Sequence, residues 1–440
     1  MLRTCNGFLG NWPFCPAQRG VRPGFLMQYL QLPIAELEEQ QQRMLLACSD
    51  SHKSTEISYM KKTLLAAALL AGFATAGVAQ AETSVTLYGI LDTGYGYQNY
   101  KYDHAGADIT AKSSGLRDGT FNGNRFGLKG SEDLGDGLRA IFQLEQGFNM
   151  GDGTAANETR AFHRQAFVGL SSDNWGTFTM GRQYSAGVDT YLVPNGVNLG
   201  DSDKIFGSTG LGEGTRVDNS FKYVTPDLSG FKAILMYGTD NDGGTTVGRD
   251  TDGSSFADRG SRVSVGALYA NGPIGVGASY DRQSQTAADM DAATSWQING
   301  SYDFEVVKLG LAYGQDRHGK MGWNGSASGI VGTNMAAALA AAGQPLGLTN
   351  DFKSSNYHVG LSAPLAGGTL YAGWNYSTSN LDDGDKWGDD AGNISTYQVN
   401  YLYPLSKRTS LYAYGSYAKN IGYVKDLKGP EAGIGLNHKF

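Results

Sequence analysis

Arg125-Phe126-Gly127-Leu128-Lys129-Gly130-Ser131-Glu132-Asp133-Leu134, then Gly135-Asp136-Gly137, then Leu138-Arg139-Ala140-Ile141-Phe142-Gln143-Leu144-Glu145, reads as a β-hairpin. Phe126 and Leu128 alternate with Arg125 and Lys129, and Ala140, Phe142 and Leu144 alternate with Arg139, Gln143 and Glu145. Successive side chains on a strand point to opposite faces, so each strand has an apolar and a charged face. The Gly-Asp-Gly run supplies the tight turn between them. A sheet with one dry and one wet face follows.

Outward from this hairpin the same unit recurs from Ser84 to Phe440. Val263, Val265, Ala267 and Tyr269 turn at Asn271-Gly272-Pro273 into Val276, Ala278 and Tyr280; Tyr357, Val359 and Leu361 turn at Ala366-Gly367-Gly368 into Leu370, Ala372, Trp374 and Tyr376. Counted this way there are sixteen strands. Short turns alternate with long polar loops near 98–123, 149–158, 184–214, 239–260, 282–292, 316–352, 378–392 and 420–430. A soluble sandwich has no reason to keep that alternation, whereas a transmembrane barrel has short turns at one end and long loops at the other. An even count lets the sheet close, leaving no edge unsatisfied in lipid. The expected fold is all-β: a sixteen-stranded antiparallel transmembrane β-barrel. Met335 to Ala342 is the one helix-like piece and reads as an ornament on a loop.

Composition agrees. The chain has Gly 63 against Pro 11, Tyr 25 and 18% charged residues, which suits turns and strands. The only markedly apolar run, Leu64 to Ala79, follows the basic Met60-Lys61-Lys62 and precedes Ala79-Gln80-Ala81. These are the three parts of a signal peptide, with cleavage expected between Ala81 and Glu82. The domain reading is therefore residues 1–59 as a non-native extension from an early start, 60–81 as signal peptide, and 82–440 as barrel. Cys5, Cys15 and Cys48 all precede the cleavage site, so the barrel has no thiol or disulfide chemistry. Residues 1–81 hold 7 basic and 5 acidic residues, leaving 28 basic against 37 acidic. With no basic run, nucleic acid is not an expected partner.

Between Thr177–Gln183 and Arg216–Tyr223 lie roughly thirty residues rich in Gly, Asn, Asp and Ser without periodicity. Structureless connections of that length are usually functional or disordered. In a barrel, this stretch is either a surface loop or a segment folded into the lumen.

Thr86-Leu87-Tyr88-Gly89, the Arg125–Leu134 run, Ala140–Glu145, Gly181-Arg182-Gln183, Tyr223-Val224-Thr225-Pro226 and the closing His438-Lys439-Phe440 together resemble Gram-negative general porins. The likeness is to the β-proteobacterial and neisserial type and runs from Glu82 to the C-terminus. It implies a homotrimeric outer-membrane channel for small hydrophilic solutes and ions, with the third loop folded inward. It implies contact with outer-membrane lipid and lipopolysaccharide, no cofactor, and a terminal Phe440 read by the outer-membrane assembly machinery. It also implies a basic row on the wall at Arg125, Arg182 and Arg216, facing acidic loop residues at Asp189, Asp201 and Asp203. Opposed charges across a narrow gap create a transverse field that penalises apolar solutes. Two details depart from the pattern. Strict alternation from Thr179 puts Arg182 on the lipid face, so a bulge at Gly181 is expected. Strand one carries Ile90 and Asp92 where enterobacterial relatives place a lysine.

No enzyme is expected. The histidines are scattered, and neither H-E-x-x-H nor G-x-S-x-G occurs. Asp382, Asp383, Asp385, Asp389 and Asp390 read as a solvated acidic loop. The rival readings are a substrate-specific channel, which needs a file of aromatics along the lumen, a barrel lipase, and a secreted β-sandwich adhesin.

Overall fold

The structure is a computed structural model, and it describes residues 83–104, 106–193, 216–239, 261–284, 291–319, 333–341 and 351–440. The extension, the signal peptide and its cleavage site at Ala81 and Glu82 lie outside the described residues, as do Asp201 and Asp203.

The first strands are β1 (Ser84–His104), β2 (Ala107–Asp118), β3 (Arg125–Gly135), β4 (Leu138–Gly147), β5 (Gln165–Ser172) and β6 (Gly176–Tyr184). After a short helix α1 (Ala186–Asp189) come β7 (Arg216–Val224), β8 (Phe231–Gly238), β9 (Arg262–Asn271), β10 (Ile274–Gln283), β11 (Ala293–Asp303) and β12 (Lys308–Arg317). Helix α2 (Thr333–Ala341) precedes β13 (Lys353–Leu365), β14 (Gly368–Ser379), β15 (Ile394–Pro404), β16 (Thr409–Lys419) and β17 (Leu427–Lys439). All pairings are antiparallel and, apart from those of β1 with β3 and β17, join chain neighbours. β1 pairs with β17 from Ile90↔Lys439 to Tyr102↔Leu427. The sheet is closed.

Seventeen strand segments make sixteen staves. Residues Ser84–Ile90 of β1 pair with β3, and Thr93–His104 of the same strand pair with β2. β2 and β3 are thus two halves of one stave. This corrects the loop expected near 98–123: most of it is the upper part of a hairpin. Above the lipid band the outer face meets water while Tyr100 and Tyr102 are buried on the inner one, so the apolar phase that marks the lipid-facing strand reverses there while the backbone pairing continues.

The faces are separated as the hairpin predicts. β10 alternates without a break, with Ile274, Val276, Ala278 and Tyr280 exposed and Gly275, Gly277, Ser279 and Asp281 buried. Ile434 is 65% and Val168 54% exposed, whereas the inward Asn356 is 1% exposed. Large apolar side chains exposed around a whole barrel belong in hydrocarbon. Outward rings form neighbouring belts near each end. Trp296, Tyr313, Tyr357, Tyr376 and Trp374 sit edge to edge toward the long loops, at centroid spacings of 5.4, 5.0, 6.0 and 5.7 Å. Tyr302 and Phe304 lie 4.5 Å apart at the short-turn end. Such rings place an apolar body in the bilayer and a polar edge at its interface.

Helix α2 differs from the loop ornament expected. Met335, Ala336 and Leu339 are buried in an apolar cluster with Tyr100, Tyr102, Phe352 and Leu381 at the long-loop end. Tyr100 and Tyr102 are on the inner face of β1, so the helix packs inward. An alanine run gains little from burial per residue, and its sequence carries no sign of the aromatic partners that the fold brings to it.

Candidate functional site

Three guanidinium groups gather on the inner wall where β3, β5, β6 and β7 approach the long loops. Arg164 and Arg216 each donate from Nη2 to the Tyr184 hydroxyl, both at 3.1 Å. The Arg216 guanidinium also stands 4.8 Å from the centre of the Tyr184 ring, a cation–π geometry. Arg125 donates Nε to the Gly123 carbonyl at 2.8 Å. Its guanidinium and that of Arg164 both stand against Gly123. Glu145 anchors the group: it accepts from Arg164 Nε at 2.7 Å and from the Tyr88 hydroxyl at 2.9 Å, and Gln143 Nε2 donates to that hydroxyl at 2.6 Å. Arginine suits such crowding because it stays charged and its planar forks tolerate like neighbours.

Arg125 and Arg216, expected in the basic row, are both in this group. Arg182 is on the same stretch of wall but differently engaged. The bulge expected at Gly181 is present as a shift of register between Gly181 and Gln183 against β7. Gly181 has φ 134°, and a Cβ there would lie 2.1 Å from the Ala166 carbonyl oxygen, so no other residue fits that turn of backbone. The bulge takes Arg182 into a buried site, where Nε donates to the His163 carbonyl at 2.6 Å and Nη1 to Asp218 at 2.5 Å. Arg160 binds the other oxygen of Asp218 at 2.7 Å.

Arg164 takes the place in the group that the sequence reading gave to Arg182. A signal for it exists in the pairing. Glu145 continues the charged face of β4 and is buried, so it needs a cation, and β4 pairs Glu145 with Gln165, next to Arg164.

The chain leaving β6 runs through α1 to Val193 along the inner wall. Ala186 N donates to Ser264 Oγ at 2.9 Å, Gln297 Nε2 to the Gly187 carbonyl at 2.8 Å, and Asn299 Nδ2 to the Thr190 carbonyl at 3.1 Å. Leu192 N donates to Asn299 Oδ1 at 2.9 Å. These partners are inward residues of β9 and β11, so the chain leaving β6 lies across the inner face of strands well away from it. It fits because the floor is glycine: a Cβ on Gly277 of β10 would stand 1.8 Å from the Thr190 carbonyl oxygen. Asp189 forms an ion pair with Lys222 of β7, whose Nζ also donates to the Tyr184 carbonyl at 3.1 Å. Burial raises the Asp189 carboxyl above the usual aspartate range and Lys222 opposes it. Asp189, read in the sequence as an acidic group facing the basic row, is tied in the structure to Lys222.

Around Tyr184, Arg125, Arg160, Arg164, Arg182, Arg216 and Lys222 stand against Glu145, Asp189 and Asp218. Across the barrel, the inward residues of β11 to β15 include Asn299, Asn356, Asn375, Gln398 and Asn400, which carry no charge. The described inner wall is positive around Tyr184 and mostly uncharged amide across from it, with the carboxylate of Asp316 of β12 buried among those amides and bound by Ser354 and Asn356.

The family model described as Gram-negative porin matches residues 66–422. An outer membrane porin protein of Bordetella pertussis is 41% identical over 397 residues, spanning 87% of this chain and 100% of the relative. The major outer membrane protein P.IB of Neisseria gonorrhoeae is 26% identical over 394 residues, again 87% of this chain and 100% of the relative. Among solved structures, the anion-selective porin from Comamonas acidovorans superposes with a TM-score of 0.58 at 24% identity, covering 82% of this chain and 100% of that one.

Proposed function

The chain belongs to the Gram-negative porin family, an outer-membrane barrel for diffusion of small hydrophilic solutes, and from that premise we propose that Arg125, Arg164 and Arg216 form its selecting wall. The observation that carries this is the convergence of Arg164 and Arg216 on Tyr184, with Arg125 beside Arg164 at Gly123, where the chain leaving β6 turns inward and a solute crossing the lumen meets an excess of positive charge. Fixed cations lower the barrier for anions and raise it for cations, so the channel has a mild anion preference. Arg182 belongs to the row as a supporting member, holding Asp218 out of play. Asp189 fastens the loop, and Asp201 and Asp203 supply the acidic side further along it. The zero-current potential of the purified protein in a planar bilayer under a salt gradient tests the preference; a potential of cationic sign removes it.

The working form on this reading is a homotrimer in outer-membrane lipid, its long loops facing lipopolysaccharide. Residues 60–81 are a signal peptide and residues 1–59 are not part of the exported protein. N-terminal sequencing of protein from outer membranes should therefore begin at Glu82, and a start within 1–59 overturns that division.

Phe440 ends the closing seam. Its backbone exchanges two 3.1 Å hydrogen bonds with Gly89, and its ring lies over the α-carbon of that residue. As an assembly signal it is read before closure and built into the seam afterwards. Phe440→Ser should lower the amount of folded barrel in the outer membrane while leaving refolding of purified chain in detergent largely intact; equal losses in both would make it a packing residue alone.

A further inference from the structure

The stave formed by β2 and β3 is interrupted at the height of the arginine group. Ile90 of β1 pairs with Arg125 and Thr93 with Asp118, so three steps along β1 face seven along its partner. The surplus residues leave the sheet as Gly119-Thr120-Phe121-Asn122-Gly123-Asn124. They leave it on the inner side. Asp92, an inward residue of β1 that is 0% exposed, accepts from the Phe121 N–H at 3.3 Å and the Asn122 N–H at 3.1 Å. The same carboxylate accepts from the Tyr412 hydroxyl and from Asn437 Nδ2, both at 2.8 Å, and these are inward residues of β16 and β17. The Phe121 ring packs against Tyr412 at 5.8 Å between centroids.

The gap left in the ladder is closed by the excursion itself. Asn124 Oδ1 accepts from the Asp92 N–H at 2.5 Å, and the Gly119 N–H donates to the Asp92 carbonyl at 2.9 Å. Every polar group of Asp92 is engaged in holding this piece of chain, two of its bonds going to the neighbouring staves. A buried carboxylate with a full set of donors is a rigid anchor. This also accounts for an aspartate on strand one where a lysine was looked for. On its free side, the Gly123 carbonyl accepts from Arg125 Nε, and the guanidinium ends of Arg125 and Arg164 both lie against the Gly123 α-carbon.

We propose that Gly119–Asn124 is a fixed ledge inside the barrel, a second lip of the channel that acts independently of the third loop and orients Arg125 and Arg164 toward passing anions. Its orienting role rests on the reading of the arginines given above; its narrowing role does not. Half-buried Asn122 is near the tip, so bulk added there obstructs flow, whereas bulk on a stretch lying outside the water path does not.

The test introduces one thiol, Asn122→Cys, into the exported protein, which starts at Glu82 on the reading above and has no other cysteine. A sulfonate-bearing methanethiosulfonate is added to single channels in a planar bilayer. Each modification should lower conductance in a step, by about a third or more, and move the zero-current potential toward cations. Failure to form the adduct, or an adduct confirmed by mass that leaves conductance within about a tenth of its starting value, overturns the ledge. Phe121→Ala, which frees the ledge from Tyr412, should raise conductance and its fluctuation, and a rigid unchanged channel counts against the proposal. Arg164→Ala separates the two readings. If it leaves the potential unchanged while the adduct at position 122 still lowers conductance, the arginine reading fails and the ledge stands. If it shifts the potential while the adduct is silent, the ledge fails alone.

Discussion

Replacing Arg125, Arg164 and Arg216 together with alanine should abolish the anion preference. The zero-current potential in a salt gradient should fall to near zero or change sign. The reason is a count of charge near Tyr184. Six basic groups stand there against three acidic ones; without these three arginines, the numbers are equal. One unit charge acting on an ion at about 4 Å through water contributes about 1 kcal/mol, roughly a fivefold rise in local anions and a fivefold fall in local cations. Screening shortens that reach to about 10 Å at 0.1 M salt, so the effect should be larger in dilute electrolyte and shrink as salt is raised. Single replacements should rank with exposure. Half-buried Arg125 and Arg164 act on passing ions more strongly than Arg216, which is buried against Tyr184. Arg182→Ala should act differently, because it removes one of the cations bound to the Asp218 carboxylate while Arg160 stays on its other oxygen. A triple variant that keeps the wild-type potential would show that selection occurs elsewhere in the channel.

Gly277→Val should release the start of the third loop from the wall. The Thr190 carbonyl occupies the space that a Cβ would take, and the four hydrogen bonds between this segment and Ser264, Gln297 and Asn299 depend on that approach. Overpacking of this kind costs about 1–3 kcal/mol. That shifts the balance between docked and undocked loop by a factor between about five and a few hundred. The barrel remains closed, because Gly277 points inward and its ladder bonds to β9 and β11 are made by the backbone. The expected result is a folded channel with higher and noisier single-channel conductance. Lys222→Ala, which removes the partner of Asp189, should act in the same direction and more weakly, since the four hydrogen bonds to β9 and β11 remain. Unchanged conductance in Gly277→Val would mean that this segment does not limit flow. Loss of folded barrel would be distinguished by electrophoretic mobility before and after heating.

The barrel was legible in the chain because its determinants are local. Alternation at β10, a Gly-Asp-Gly turn after β3 and the regular exchange of short and long connections are each contained within a few residues, and lipid on the outside imposes the apolar phase on every stave. The upper halves of β1 and β2 were not legible, since there the apolar side chains Tyr100, Tyr102 and Ile109 face inward to the cluster around α2, opposite to the phase that lipid imposes below. Among the site residues, Arg125 and Arg216 could be placed from the resemblance and the strand phase, and the Gly181 bulge from a phase error that needed a cause.

What the chain could not disclose was which of several arginines share a space. Arg164 joins the group and Arg182 turns to Asp218 because a one-residue shift at Gly181 and an irregular stretch of β7 around the left-handed Asn219 decide where long side chains end. Asp92 read as a missing lysine until β16 and β17 came round to meet it, more than three hundred residues later in the chain. The sequence by itself determined a closed sheet, greasy outside and polar within, because that pattern is repeated in every stave. Only the tertiary structure decided the contents of the lumen, because those contacts form between staves that closure alone brings face to face, and a long arginine side chain can be satisfied by any of several acids within its reach.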